Sequence, residues 1–402
     1  MQKMKLKTDS SIKKTPKRQN WKVIALLVIL TIISSTPIYY HRIMNAVDTD
    51  YGSHIYFAQD LLQGKPLEPR ILAHPVLQLL LISINVGSHG KINLFMALII
   101  VQVAVQVALA LILYFWFGES EQNHWDLKRA GLAFSMTFLA PVMLLAFKDQ
   151  KFYYGYITLS NYHNPTIHLL KPFALLSFIY GIRLLSGEKS NWTQIFLSAL
   201  WISLSTWIKP NYALAILPAL ILALAIRRLQ HQNIDGRMAA FGFFLPGFSM
   251  LLIQWWLAYV IGEPGESIVF APFEVESAFS DWLFVKFILS ALFVLVVAII
   301  ARDKIFKDAG LLAGWSGFLV GAAQFYLLAE GGERFLHGNF RWSGQIMLFL
   351  LFAASVRWII QEKYFKGNLN IHEKIISCSA YLSHFIGGIV YYIYCFISIH
   401  YR

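Results

Sequence analysis

Residues 92–117 read INLFMALIIVQVAVQVALALILYFWF, a run without one charged side chain. At 1.5 Å of rise per residue, a helix of that length exceeds the ~30 Å hydrocarbon core of a bilayer. Working outward from it, further mostly apolar runs of about 20 residues occupy 21–39, 129–147, 166–185, 192–208, 211–226, 238–261, 282–300, 309–329, 340–360 and 375–397. They predict an all-α fold, a polytopic transmembrane helical bundle of about 11 spans. The 402-residue composition agrees, with 57% hydrophobic and only 14% charged residues. A chain so apolar has the bilayer as its solvent. Residues 1–20 form a basic cytoplasmic tail, and 21–402 read as one transmembrane domain. The first apolar run is too long for a signal-peptide core and lacks a small-residue cleavage site, so it is expected to be retained as a span.

A net charge of +12 raises the question of nucleic acid. The basic residues, however, stand in short clusters between apolar runs and form no aromatic-interleaved surface, so no nucleic-acid partner is expected. Cys378 and Cys395 are about 25 Å apart if helical, which excludes a disulfide between them and a cysteine metal site. The clusters Lys128-Arg129, Arg227-Arg228, 302–307 and 357–374 fall on alternate sides in register with the basic N-terminus. By the positive-inside bias these are cytoplasmic, which puts the N-terminus inside and the C-terminus in the extracytoplasmic space. Asn191-Trp192-Thr193, an Asn-x-Ser/Thr site, then falls inside, and a bacterial plasma (inner) membrane is expected.

The same alternation exposes five segments outside: 41–91, 148–165, 209–210, 262–281 and 330–339. Segment 41–91 carries Asp48-Thr49-Asp50, then apolar residues at helical spacing over 53–63, a Gly64-Lys65-Pro66 break, and a second amphipathic stretch over 68–84. Two helices along the outer membrane surface are expected there. A carboxylate at headgroup depth can take a proton from a hydroxyl, which makes Asp50 and Asp48 candidate catalytic residues. Either also reads as the N-cap of the first surface helix. His54, four residues after Asp50, shares its helical face.

Cations recur on this side. Asn161-Tyr162-His163-Asn164-Pro165-Thr166 opens a span, with Pro165 suited to its first turn and Asn164 or Thr166 to its cap. Lys171 lies one to two turns inside the same span, and Lys209-Pro210 turns between two others. Arg334, His337 and Arg341 precede or open another span. Positive-inside bias makes basic residues scarce here, so His54, His163, Asn164, Lys171, Lys209, Arg334, His337 and Arg341 form the candidate substrate-binding set, suited to phosphate. The acidic segment 262–281 reads as a solvated loop. No metal site is expected and no cofactor is required, although a divalent cation on that acidic loop stays open. Tyr153, Tyr154, Tyr156 and Trp342 stand near the same mouth as candidate platforms for a sugar.

With Asp48-Thr49-Asp50-Tyr51-Gly52-Ser53-His54 after the first span, two surface helices behind it, and corners such as Tyr162-His163-Asn164-Pro165-Thr166 and Lys209-Pro210, the chain resembles the GT-C superfamily of integral membrane glycosyltransferases. That resemblance implies a polyprenyl-phosphate-linked sugar donor, an acidic base just after the first span, outer cations holding the lipid phosphate, and a glycan, lipid or protein acceptor amid membrane lipids. No soluble C-terminal domain of the kind that many members carry is expected here. A lipid-linked oligosaccharide polymerase or ligase would use the same side of the membrane. A transporter or flippase would instead place ionisable residues near the midplane.

Overall fold

The computed structural model describes residues 20–45, 49–66, 68–118, 125–262, 267–362 and 366–398. The apolar runs are helical, because a backbone removed from water must satisfy its own N–H and C=O groups. In chain order the helices are α1 (Trp21–Met44), α2 (Asp50–Leu62), α3 (Pro69–Leu72), α4 (Val76–Gly87), α5 (Leu94–Trp116), α6 (Trp125–Met136), α7 (Ala146–Asp149) and α8 (Pro165–Leu185). They continue as α9 (Trp192–Ile208), α10 (Asn211–Leu229), α11 (Gly236–Ala239), α12 (Leu245–Trp255), α13 (Glu274–Ser277), α14 (Leu283–Ile300), α15 (Ala309–Leu327), α16 (Arg341–Ile360) and α17 (Ile371–Ile397). Helices α11 and α12 belong to one helical run, Gly236–Ile261, interrupted by π-helical turns at Ala240–Phe244 and Trp256–Ile261. The sole sheet among the described residues is a ribbon in which β1 (Ile268–Phe270) pairs antiparallel with β2 (Leu328–Glu330).

Among the described residues, nine helices are long and apolar enough to cross a membrane: those in runs 21–44, 94–116, 165–185, 211–229, 236–261, 283–300, 309–327, 332–360 and 371–397. Helix α9 has 17 residues and α6 has 12, both shorter than the others. Helix α16 is buried along nearly its whole length and forms the centre of the bundle. Its closest neighbour is α15, whose glycines remove the side chains that would hold the backbones apart. A Cβ on Gly321 would lie 2.6 Å from the Ser343 carbonyl oxygen, and one on Gly314 would lie 2.8 Å from Leu351 Cδ1. This is the small-residue seam expected where apolar helices associate without a hydrophobic drive between them.

The expected span 129–147 is not a continuous helix. Helix α6 ends at Met136, and residues 137–145 continue as irregular backbone that is largely buried. Pro141 has no N–H and disfavours helical geometry at Ala140. Irregular backbone at membrane depth persists only where neighbours satisfy it, and here they do. The Thr137 carbonyl accepts from Gln106 Nε2 at 2.9 Å, Ala140 N donates to the His384 carbonyl at 3.2 Å, and the Ala140 carbonyl lies 2.8 Å from His384 Nδ1. Gly387 and Gly388 of α17 leave room for this segment, since a Cβ on either would collide with the carbonyl of Pro141 or Phe138.

Helix α2 begins at Asp50 and buries Tyr51, Ile55 and Ala58, one face at helical spacing. Gly64 leaves the helix with φ +73°, the left-handed turn expected at the Gly-Lys-Pro break. The second expected helix over 68–84 is split into α3 and α4, because Pro75 cannot donate to the preceding turn.

Candidate functional site at the Asp50 end of the bundle

Asp50 stands in the first turn of α2, where the unpaired N–H groups favour a carboxylate. Its Oδ2 accepts a hydrogen bond from Asn164 Nδ2 at 2.6 Å. Local sequence holds Asn164 in place. The Asn161 side chain accepts from the backbone N–H of His163 and Asn164 at 2.9 and 3.0 Å. Pro165 starts α8, and Asn164 Oδ1 caps it by accepting from Ile167 N at 2.9 Å. Thr166 Oγ1 also donates to Asn164 Oδ1 at 2.8 Å, and Lys209 Nζ donates to Thr166 Oγ1 at 3.2 Å. A relay of donors therefore runs from the Lys209 ammonium through Thr166 and Asn164 to the Asp50 carboxylate. Each donor polarises the next.

The electrostatics follow from burial. Burial pushes the Asp50 carboxyl above the usual range, opposed by Lys209, the Asn164 hydrogen bond and His337. Lys209 is pulled down to about 8, first by burial and further by Arg334, against the upward pull of Asp50 and Glu330. His54, 2.9 Å from Gln78 Nε2, is pulled down to about 3 by burial, with Lys209 and His74 adding to it. His163 is held well below the ordinary imidazole value, by burial first and then by Arg42, Arg341 and Lys209. Both imidazoles are neutral at pH 7.

The remaining expected residues divide. Arg334 pairs with Glu330 at 3.2 Å, and Asn339 Nδ2 donates to the same carboxylate oxygen at 2.6 Å. His337 ends the short 3-10 turn Gly332–His337 and acts electrostatically on Asp50. These two belong with Lys209 and Asp50. Arg341 does not, because its Nε donates to Glu276 Oε1 at 2.8 Å with both side chains buried. The acidic segment is thus partly structural rather than only a solvated loop, and Glu276 is the partner that sequence inspection missed. Lys171 points inward, donating to the Leu159 carbonyl at 2.6 Å, and does not snorkel to the mouth. Asp48 lies outside the described residues.

The aromatic residues pack rather than stand open. Tyr153 is buried, its hydroxyl accepting from Gln345 Nε2 at 3.0 Å, and Tyr154 stacks on Phe279 at 4.7 Å between centroids. Tyr156 is wholly buried, and Trp342 is 5% exposed, with Lys209 Nζ 5.1 Å from its ring centre. Among the described residues, no group of three His, Cys, Asp or Glu is arranged to hold a metal ion.

Away from the mouth, Tyr39, Gln102, Gln106 and His168 form a buried polar cluster between α1, α5 and α8. Gln102 Oε1 lies 2.8 Å from His168 Nδ1, and the Tyr39 hydroxyl lies 3.1 Å from the same ring. No family model matches the sequence, and no curated protein or solved structure matches it either.

Proposed function

We propose that this chain is an integral membrane glycosyltransferase that moves a sugar from a polyprenyl-phosphate-linked donor to an acceptor hydroxyl, with Asp50 as general base. The observation that carries this reading is the relay Lys209, Thr166, Asn164, Asp50, which sets a base with a raised affinity for protons beside a cation at one end of an apolar bundle. Asn164 occupies one carboxylate oxygen and leaves the other for the acceptor. In the reaction, the acceptor O–H proton passes to Asp50 as the oxygen lone pair bonds to the anomeric carbon. The carbon–oxygen bond to phosphate breaks, and its electron pair leaves on the polyprenyl phosphate. One base and one anionic leaving group suffice for inversion without a covalent intermediate. Lys209, Arg334 and His337 offset the phosphate charge, while neutral His54 and His163 offer hydrogen bonds to the sugar. Lys171 and Arg341 have interior roles in this scheme and leave the binding set.

In this reading α9, about 25 Å long at 1.5 Å per residue, also crosses, and α6 with residues 137–164 makes a further crossing. The total is then the eleven expected from sequence, with the Asp50 end extracytoplasmic, α2 and α4 along the membrane surface, the N-terminus cytoplasmic and the membrane a bacterial plasma membrane. A second reading, transport or flipping of a lipid-linked anion, draws on the buried Tyr39, Gln102, Gln106 and His168 cluster, because polar groups at membrane depth commonly mark a path.

The test is transfer of radiolabelled sugar from polyprenyl-phosphate donors in membranes containing wild type or Asp50→Asn at matched expression. Loss of the base is expected to lower transfer by about 10²- to 10⁴-fold. Because burial raises the Asp50 pKa, the ionised carboxylate costs stability at neutral pH, and Asp50→Asn is expected to melt no lower than wild type. Full activity of Asp50→Asn would refute the assignment of the base. Absence of transfer from any donor by wild type would favour the transport reading.

A further inference from the structure

The helices that begin at the Asp50 crevice end at a second polar place. Helix α8 runs from Thr166 to Ile182 and Leu185, α10 from Asn211 to Arg227, and α16 from Trp342 to Arg357. These separations, at 1.5 Å per residue, place the two sites about 23 Å apart along the bundle. At the far end, these helices and the start of α15 line an open cavity of about 620 Å³.

Its lining includes Arg227, Lys307 and Arg357 against one carboxylate, Asp308, whose Oδ1 is engaged in capping α15 by accepting from Leu311 N at 2.8 Å. Arg227 is 6% exposed. Its Nη1 donates to Gln230 Oε1 at 3.1 Å and its Nη2 to the Lys307 carbonyl at 3.1 Å, but its buried Nε has no hydrogen-bond partner among the described residues. Arg357 lies over the Trp116 ring at 5.3 Å and donates through Nε to the Trp116 carbonyl at 3.3 Å. A buried guanidinium with an unmet donor, beside two further cations, is an arrangement that calls for an anion. Guanidinium geometry fits phosphate oxygens, and Ala309 and Gly310 of the first turn of α15 line the same space.

We propose that this cavity is a second binding site, distinct from the Asp50 crevice, that takes a phosphate mono- or diester through Arg227, Arg357 and Lys307. Anionic phospholipid headgroups and soluble phosphate share that chemistry, and the cavity opens where α8, α10 and α16 end, at the level of a lipid headgroup.

The experiment uses the full chain in phosphatidylcholine nanodiscs, in nanodiscs containing a graded fraction of phosphatidylglycerol, and in phosphatidylcholine nanodiscs with inorganic phosphate in solution. Thermal melting and native mass spectrometry of retained lipid are the readouts, on wild type, Lys307→Gln and Arg357→Gln. Stabilisation of wild type by phosphatidylglycerol, with each variant needing roughly tenfold more to reach half of it, supports a headgroup site. The same pattern with inorganic phosphate supports a soluble phosphate as the ligand. If neither probe shifts wild-type melting, or if Lys307→Gln responds as wild type does, the proposal is overturned. Lys307 is exposed, so its replacement keeps the test valid even where Arg357→Gln fails to fold.

Discussion

Asn164→Asp isolates the Asp50 carboxylate with little change in shape. The replacement keeps the side-chain oxygen that caps α8, since Asp caps as well as Asn. It exchanges the amide donor, now 2.6 Å from Asp50 Oδ2, for a second carboxylate oxygen. With the charge centres about 4 Å apart and an effective dielectric constant near 20, the repulsion is about 4 kcal/mol. At 1.36 kcal/mol per unit this amounts to about three pKa units. The two acids then titrate as a pair that shares a proton over a wide range. Because the base acts ionised, its activity is lost as pH falls through its pKa, so raising that pKa moves the acid limb upward. Sugar transfer from the polyprenyl-phosphate donor, measured as kcat/KM against pH, is expected to show an acid limb about two to three units higher than wild type, with recovery at alkaline pH. An acid limb unmoved in Asn164→Asp would refute Asp50 as the base.

Other perturbations test separate parts of the molecule. Lys209 is pulled down to about 8, so its ammonium is lost as pH rises through that value, and donor KM is expected to rise there; Lys209→Arg, charged at all these pH values, should remove the alkaline rise. Glu276→Ala leaves Arg341 buried without its partner and should lower stability by about 3–5 kcal/mol, read by thermal or denaturant unfolding in detergent. Gly388→Ala drives a methyl group into the Phe138 carbonyl and should cost about 3 kcal/mol, the upper end for overpacking. An unchanged melting midpoint there would contradict the close approach of α17 to residues 137–145.

Part of the candidate site was legible locally. The start of α2 at Asp50, the cap of α8 by Asn164 before Pro165, and the break at Gly64 depend on neighbours a few residues away, and those constraints are written in the chain, whereas the break at Pro75 divides a stretch that its periodicity reads as one helix. Other features depend on residues distant in sequence. Glu276 meets Arg341 across 65 positions, and Lys286, wholly buried, meets Asp149 at 2.6 Å across more than 130. Neither pairing leaves a periodic or compositional mark. The inward turn of Lys171 is similar, because a lysine near a helix end reads the same whether it snorkels or finds a carbonyl such as that of Leu159.

By itself the sequence determined that the chain is an apolar α-helical bundle, since long uncharged runs have one way to satisfy their backbone without water. It also determined that acids and cations gather between certain of those runs. Only tertiary structure decided which of them meet. Packing of α8 against the end of α9 put Lys209, Thr166, Asn164 and Asp50 into one relay, and packing of α17 allowed residues 137–145 to remain unwound. Hydropathy is a property of each segment, whereas a hydrogen bond between segments exists only once their helices have chosen their neighbours.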